Sequence, residues 1–141
     1  MGIKLGTQAV PQEVKRRQDE DPEFKKRLKG LNFSLILVGT DDSENHDWQY
    51  SIKFEKGKIT EQELERQPAP SDLRKLTFDK EKYNVKVVGN HHDIYEFVTG
   101  KVDIPGLLSK VKIEGLFGSF VNQMTGFEGF IDFLKSMNFE V

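Results

Sequence analysis

The fold is decided by residues 48–58, which read WQYSIKFEKGK. Apolar and polar residues alternate from Trp48 to Glu55, which is the period of a strand with one buried face and one wet face. The apolar positions are Trp48, Tyr50, Ile52 and Phe54. The Lys56-Gly57 pair predicts a tight turn, because Gly adopts positive φ without strain. Residues 58–66 then return as a polar edge strand, which Pro68 ends.

Three further strands are predicted around this hairpin. The run from Phe33 to Val38 is apolar at every position except Ser34, which is typical of a central strand covered on both faces. Residues 84–89 are rich in Val, and residues 110–114 alternate Lys with Val and Ile before Gly115 breaks the pattern. Together with the hairpin, these segments predict a sheet of about five strands.

Helices are predicted at residues 21–30, 92–99, 103–108 and 116–137. Asp21 and Asp103 are suitable N-caps for the first and third of these helices. Residues 11–20 hold one strong apolar residue, Val14, and fit either an exposed helix or a loose arm. We assign residues 71–82 no structure beyond a short helical turn that begins at Ser71 or Asp72.

The composition restricts the class of protein. A chain of 141 residues forms one compact domain, which we divide into a helical arm at 1–30 and a main body at 31–141. The net charge of -2 argues against nucleic acid as the main partner. The absence of Cys excludes disulfides and thiolate chemistry and fits a reducing cytosol.

The segment 116–137 is more apolar than an ordinary amphipathic helix. One apolar stripe has helical spacing and comprises Phe117, Phe120, Met124, Phe127, Ile131 and Leu134. A second set, off that stripe, comprises Phe130, Phe133 and Met137. A helix of this kind is an interior core helix, docks on another chain, or lines a cavity that an apolar ligand fills.

Two short motifs carry a family resemblance. They are Gly100-Lys-Val-Asp103 and the strand from Lys110 to Gly115, followed by Gly118 and the long apolar segment. Their order and separation resemble the sterol carrier protein family of lipid-binding domains, over about residues 31–137. The resemblance implies an α+β fold with about five mostly antiparallel strands, and helices on one face that enclose a hydrophobic tunnel.

The resemblance also implies non-enzymatic binding and transfer of a long-chain lipid, fatty acyl or sterol-like ligand under the C-terminal helix. Because the chain has three His and no Cys, we expect no metal, and we expect no cofactor. The candidate ligand-binding residues are Trp48, Tyr50 and Ile52 from the sheet, and Phe117, Phe120, Val121, Met124, Phe127, Phe130, Ile131 and Leu134 from the helix. The alternative is an accessory module whose C-terminal helix docks on a partner enzyme or on a second copy as a homodimer.

The sequence contains no recognisable catalytic constellation. His91 and His92 are adjacent in a predicted helix start and cannot form the i, i+4 pair of a helical zinc site. Acidic residues cluster between Asp41 and Asp47, where they fit either a solvated loop or a calcium site, although the EF-hand spacing is missing. Neither a nucleophile elbow nor a Walker motif occurs.

The expected location and surface partners follow from charge and targeting patterns. Basic residues at 15–17 and 25–29 fit either a transient contact with an anionic membrane surface or a solvated helix face. Residues 1–10 lack a secretory apolar core, and residues 139–141 lack a Ser-Lys-Leu type peroxisomal address. The longest aliphatic run, from Leu35 to Val38, is too short to span a bilayer. We therefore expect a cytoplasmic protein.

Overall fold

The computed structural model describes residues 3–28, 30, 32–76, 78–79, 81–115, 132, 134–137 and 139–140. Five of the described strands form one mixed sheet, and four short helices accompany it. The strands of this sheet are β2 (Phe33–Thr40), β3 (His46–Glu55), β4 (Lys58–Pro68), β5 (Val85–Asn90) and β6 (Lys112–Glu114). A separate two-stranded sheet joins β1 (Ile3–Lys4) to β7 (Phe139–Glu140). The α+β class and the five-stranded sheet predicted from the sequence are confirmed.

The strand order of the main sheet is β4-β3-β2-β5-β6. The β2 strand pairs antiparallel with β3, placing Leu35 opposite Ile52 and Leu37 opposite Tyr50. The central β2–β5 pair is parallel, whereas the β3–β4 and β5–β6 pairs are antiparallel. The sheet is therefore mostly antiparallel, as predicted, with a crossover through residues 41–84 between its parallel strands.

Three of the four described helices begin at a side-chain cap. The described helices are α1 (Ala9–Glu20), α2 (Pro22–Arg27), α3 (His91–Val98) and α4 (Ile104–Leu108). Asp21 accepts a hydrogen bond from the Glu23 N–H, and Asp103 accepts one from the Gly106 N–H, as their predicted N-cap roles require. The α1 helix begins at Ala9, two residues before the segment singled out in the sequence.

All four helices contribute side chains to one hydrophobic cluster on a single face of the sheet. The residues that the helices and the C-cap of α2 (Leu28) contribute are Val10, Val14, Phe24, Leu28, Ile94, Phe97, Val98 and Leu107. They pack with the sheet residues Phe33, Leu35, Leu37, Trp48, Tyr50, Ile52, Phe54, Val85 and Val87. Val14 is 0% exposed, so α1 is a packed helix rather than a loose arm.

The opposite face of the sheet is partly covered by the segment that the sequence left unassigned. Asp72–Lys75 forms a 3-10 turn capped by Ser71, which accepts a hydrogen bond from the Leu73 N–H. Leu73 is buried at this face, as is Lys86, which donates from Nζ to the Leu76 carbonyl at 2.6 Å. Burial lowers the pKa of Lys86. Residues 71–76 thus shield a face that would otherwise expose the middle of the sheet.

The long edge strand β4 is protected by α1. Gln8 donates from Nε2 to the Leu64 carbonyl at 2.9 Å, and Gln18 accepts the Ile59 N–H at 2.7 Å. Edge strands with free N–H and C=O groups are templates for pairing with other chains. The two glutamine side chains occupy such groups and attach the helix to the edge.

The two ends of the described chain meet in the β1–β7 sheet, where Ile3 lies opposite Phe139. The Arg17 side chain also donates to Ser136 Oγ at 3.0 Å. Leu134, Met137 and Phe139 belong to the same core cluster as α1. Residues 116–131 and 133 lie outside the described residues, and so does most of the helix predicted at 116–137.

Candidate ligand-binding site

The structure brings the three candidate residues of the sheet together on the helix-covered face. Trp48, Tyr50 and Ile52 are 1%, 2% and 1% exposed, and each lies beside a residue of β2 on the same face. Leu134, the described candidate from the C-terminal segment, is also buried and shares their cluster. The remaining candidates, Phe117, Phe120, Val121, Met124, Phe127, Phe130 and Ile131, lie outside the described residues.

The Trp48 ring occupies space that two glycines leave free. A Cβ atom on Gly6 or on Gly39 would lie 2.4 Å from atoms of the indole. The indole Nε1–H donates to Nδ1 of His91 at 3.0 Å, so the only polar group of the ring is satisfied inside the core. His91 in turn stacks on Tyr95, with ring centroids 6.4 Å apart.

Tyr50 is held by a second hydrogen-bond chain. Its hydroxyl donates to Gln62 Oε1 at 2.8 Å, and Gln62 Nε2 donates to the Pro11 carbonyl at 2.9 Å. Burial raises the pKa of Tyr50 far above its usual value. The phenol therefore stays neutral and fixed, and it presents its ring to the cluster.

Sequence reasoning missed His91 and Gln62 as partners of the candidate residues. His91 is 43 positions from Trp48 in the sequence, and the strand register that brings Gln62 beside Ile52 follows from the whole hairpin. The sequence offered two signals for these partners, which were a polar residue at an inward position of β4 and a histidine at a helix start. Neither pattern identifies the residue to which that side chain is hydrogen-bonded.

Acidification is expected to destabilise the protein through His91. Burial lowers the pKa of His91, whose Nδ1 already accepts the Trp48 N–H. The unfolded state therefore binds this proton more readily, and stability present above the ordinary His pKa of about 6.5 is lost as the pH falls below it. Urea unfolding followed by emission of Trp48, the single Trp of the chain, is expected to show a midpoint that falls between about pH 7 and pH 5.

The neighbouring histidine supplies the matched control for this pH dependence. His92 is exposed and lies 2.6 Å from Glu96. His91→Gln is expected to flatten the dependence of the urea midpoint on pH, whereas His92→Gln keeps it. An unchanged slope in His91→Gln would show that another group is responsible.

The acidic residues at 41–47 belong to a structural network. The interpretation as a solvated loop holds for two of them and is wrong for the other two. Asp41 and Glu44 are exposed, as a solvated loop predicts, but Asp42 and Asp47 are buried. Asp42 accepts the N–H groups of Glu44 and His46 and pairs with Arg66. These contacts use the carboxylates to fix the loop between β2 and β3.

The described residues contain neither a group of potential metal ligands nor a membrane-spanning helix. Among the described residues, no three His, Asp or Glu side chains are grouped so as to hold a metal ion. Within the same ranges, no helix is long and apolar enough to cross a bilayer.

Known structures share this architecture. The crystal structure of sterol carrier protein 2 has a TM-score of 0.66 and 12% sequence identity, covering 95% of this chain and 99% of that chain. A solution structure from Thermus thermophilus, described as a conserved hypothetical protein and possibly a sterol carrier protein, has a TM-score of 0.64 and 13% identity. That alignment covers 96% of this chain and 90% of the other.

These likenesses define the class of fold. The chain has the sterol-carrier-like α+β fold that the two sequence motifs predicted. At 12% and 13% identity the likeness establishes the architecture alone. No family model matches the chain, and no curated protein does.

Proposed function

We propose that this protein binds and transfers a long-chain lipid, fatty acyl or sterol-like ligand without catalysing a reaction. The ligand lies in a hydrophobic tunnel between the helix-covered face of the sheet and residues 116–134. The observation that carries this proposal is the fold shared with sterol carrier protein 2 over nearly the full length of both chains. The apolar character of residues 116–137 supplies an independent reason for an apolar ligand.

The inner face of β3 supports this proposal because the polar groups of its large side chains are already bonded within the protein. The indole N–H of Trp48 is bonded to His91, and the hydroxyl of Tyr50 is bonded to Gln62. An alkyl chain that lies against these rings leaves no donor unsatisfied. Ile52 extends the same wall along β3.

The energetics favour moderate affinity. Burying ten methylene groups contributes roughly 8 kcal/mol at about 0.8 kcal/mol each. Association costs about 4–15 kcal/mol in lost translational and rotational freedom. The balance depends on chain length, which suits a carrier that must release its ligand.

The test of the proposed function is native mass spectrometry combined with size-exclusion chromatography. We expect a monomer that carries extra mass, and organic extraction removes that mass and identifies the lipid. An empty dimer would contradict the carrier and favour the alternative, in which the C-terminal segment docks on a second copy. A cytoplasmic location remains a prediction that fractionation checks.

A further inference from the structure

A cleft rich in lysine lies at the end of the sheet where β3 turns into β4. It has a volume of about 700 Å³ and lies between the α1–α2 region and the hairpin turn. The lining residues are Gln18, Asp19, Lys25, Lys26, Lys56, Gly57 and Lys58. A volume of this size falls in the range of about 300–1,000 Å³ that small-molecule sites occupy.

Close contacts hold the two walls of this cleft in place. Gly57 has φ +80, and a Cβ atom there would lie 2.6 Å from the Leu28 carbonyl oxygen. The turn therefore rests directly on the end of α2, a contact that a side chain at position 57 would prevent. The Lys56 N–H donates to Asn32 Oδ1 at 2.9 Å, and the Ile59 N–H donates to Gln18 Oε1 at 2.7 Å.

The positive charge of the cleft is not neutralised by the described part of the chain. Lys25, Lys26, Lys56 and Lys58 form no ion pair with any described residue. Asp19, the acidic residue among the described lining residues of this cleft, is already bonded to Lys15 at 3.4 Å. Four lysines without a described ion-pair partner therefore line one cleft, although the net charge of the whole chain is -2.

The basic residues of α1 behave differently from these lysines. Lys15 pairs with Asp19, Arg16 pairs with Glu13 and Glu20, and Arg17 lies near Glu13. Pairs of this kind within a helix neutralise its surface. Lys25 and Lys26 of α2 form no such pair with a described residue, and they lie beside the lysines of the hairpin turn.

A second cleft extends the same surface. It has a volume of about 530 Å³, shares Lys56 and Lys58 with the first cleft, and adds Asn32, Thr60 and the carboxylate of Glu55 as lining groups. Lys56 and Lys58 of the turn therefore line both clefts. An anionic group in the first cleft can contact ammonium groups from α2 and from the hairpin turn.

We propose that this lysine cleft binds a phosphate group. Lysine binds phosphate as a point charge, and several ammonium groups around one depression match an anion with three or more acceptor oxygens. The phosphate comes from the headgroup of an anionic lipid or from a soluble phosphorylated ligand. This site is separate from the proposed tunnel, so it is testable without lipid uptake.

The experiment compares Lys56→Gln/Lys58→Gln with the matched variant Lys75→Gln/Lys112→Gln, which removes two exposed lysines outside the cleft. One arm measures co-sedimentation with vesicles of phosphatidylcholine, with and without phosphatidylglycerol. The other arm titrates inorganic pyrophosphate against the melting temperature, with chloride at equal ionic strength as reference. Removing two lysines at an anionic surface is expected to weaken vesicle binding about 30-fold.

A saturable response in either arm that the cleft variant loses and the matched variant keeps supports the site. The responding arm identifies the source of the phosphate. A response that both variants lose equally would reveal general electrostatic attraction and overturn the proposal. Absence of a response to both probes would overturn it as well.

Discussion

Phe127→Asp is expected to abolish uptake of a fluorescent fatty acid, with a loss of at least about 100-fold, while the fold is retained. Phe127 lies on the apolar stripe of residues 116–137, which we propose as one wall of the tunnel. A carboxylate placed in an apolar cavity must stay desolvated when an alkyl chain enters, and that costs several kcal/mol. Uptake is measured by the fluorescence rise on titration, and circular dichroism reports the fold.

The matched control is Leu76→Asp, which makes the same type of change elsewhere. Leu76 is 47% exposed, so an added carboxylate there remains hydrated. This variant is expected to take up the fatty acid like the wild type. Unaltered uptake by Phe127→Asp would remove this residue from the tunnel wall.

Asp47→Asn is expected to destabilise the protein by about 3 kcal/mol, since it breaks a buried charged network. Asp47 is fully buried and accepts the Asp41 N–H, the Ser71 N–H and hydroxyl, and the Arg74 guanidinium. Burial alone would raise the pKa of Asp47, but Arg74 and the backbone N–H groups outweigh it and hold that pKa well below its usual range. The melting temperature is expected to fall by about 10 °C.

Asp41→Asn is the matched control, because Asp41 also bonds Arg74, at 2.9 Å. The Asp41 side chain is 53% exposed, and exposed ion pairs contribute about 0–1 kcal/mol. Asn tolerates the φ of +53 at this position. Equal losses of stability in the two variants would mean that burial of Asp47 does not set its contribution.

The strongly periodic parts of the fold could be predicted from the sequence. Strand β3 alternates from Trp48 to Glu55, so its apolar face was predictable, and β2 is buried at nearly every position. Caps located the helix starts at Asp21 and Asp103 because a side-chain oxygen must satisfy free N–H groups there. These signals depend on residues that are close together in the sequence, so they do not require knowledge of contacts between distant residues.

Other parts of the fold depend on contacts between distant residues. Each strand of the β1–β7 pair is two residues long and carries no periodicity. The covering of the second sheet face by residues 71–76 depends on Asp47, which holds Ser71 from 24 positions away. Burial of Asp42 and Asp47 could not be read from an acidic loop, because their arginine partners lie 24 and 27 positions onward.

The candidate site also has one part that could be predicted from the sequence and another that could not. The inward positions of β3 followed from alternation, and the structure places Trp48, Tyr50 and Ile52 on one buried face of the sheet, which we propose as one wall of the tunnel. The hydrogen bonds that make this wall free of open polar groups involve His91 and Gln62, which no motif marks. The opposing wall, residues 116–131, is still a prediction from helical spacing.

A crystal structure of the protein with a brominated fatty acid tests the central claim most directly. We predict an anomalous bromine peak between the inner face of β3, beside Trp48, Tyr50 and Ile52, and residues 116–134. The enclosed alkyl chain would then trace the tunnel. Side chains of residues 116–131 that fill this space completely, with no bromine bound, would contradict a lipid carrier.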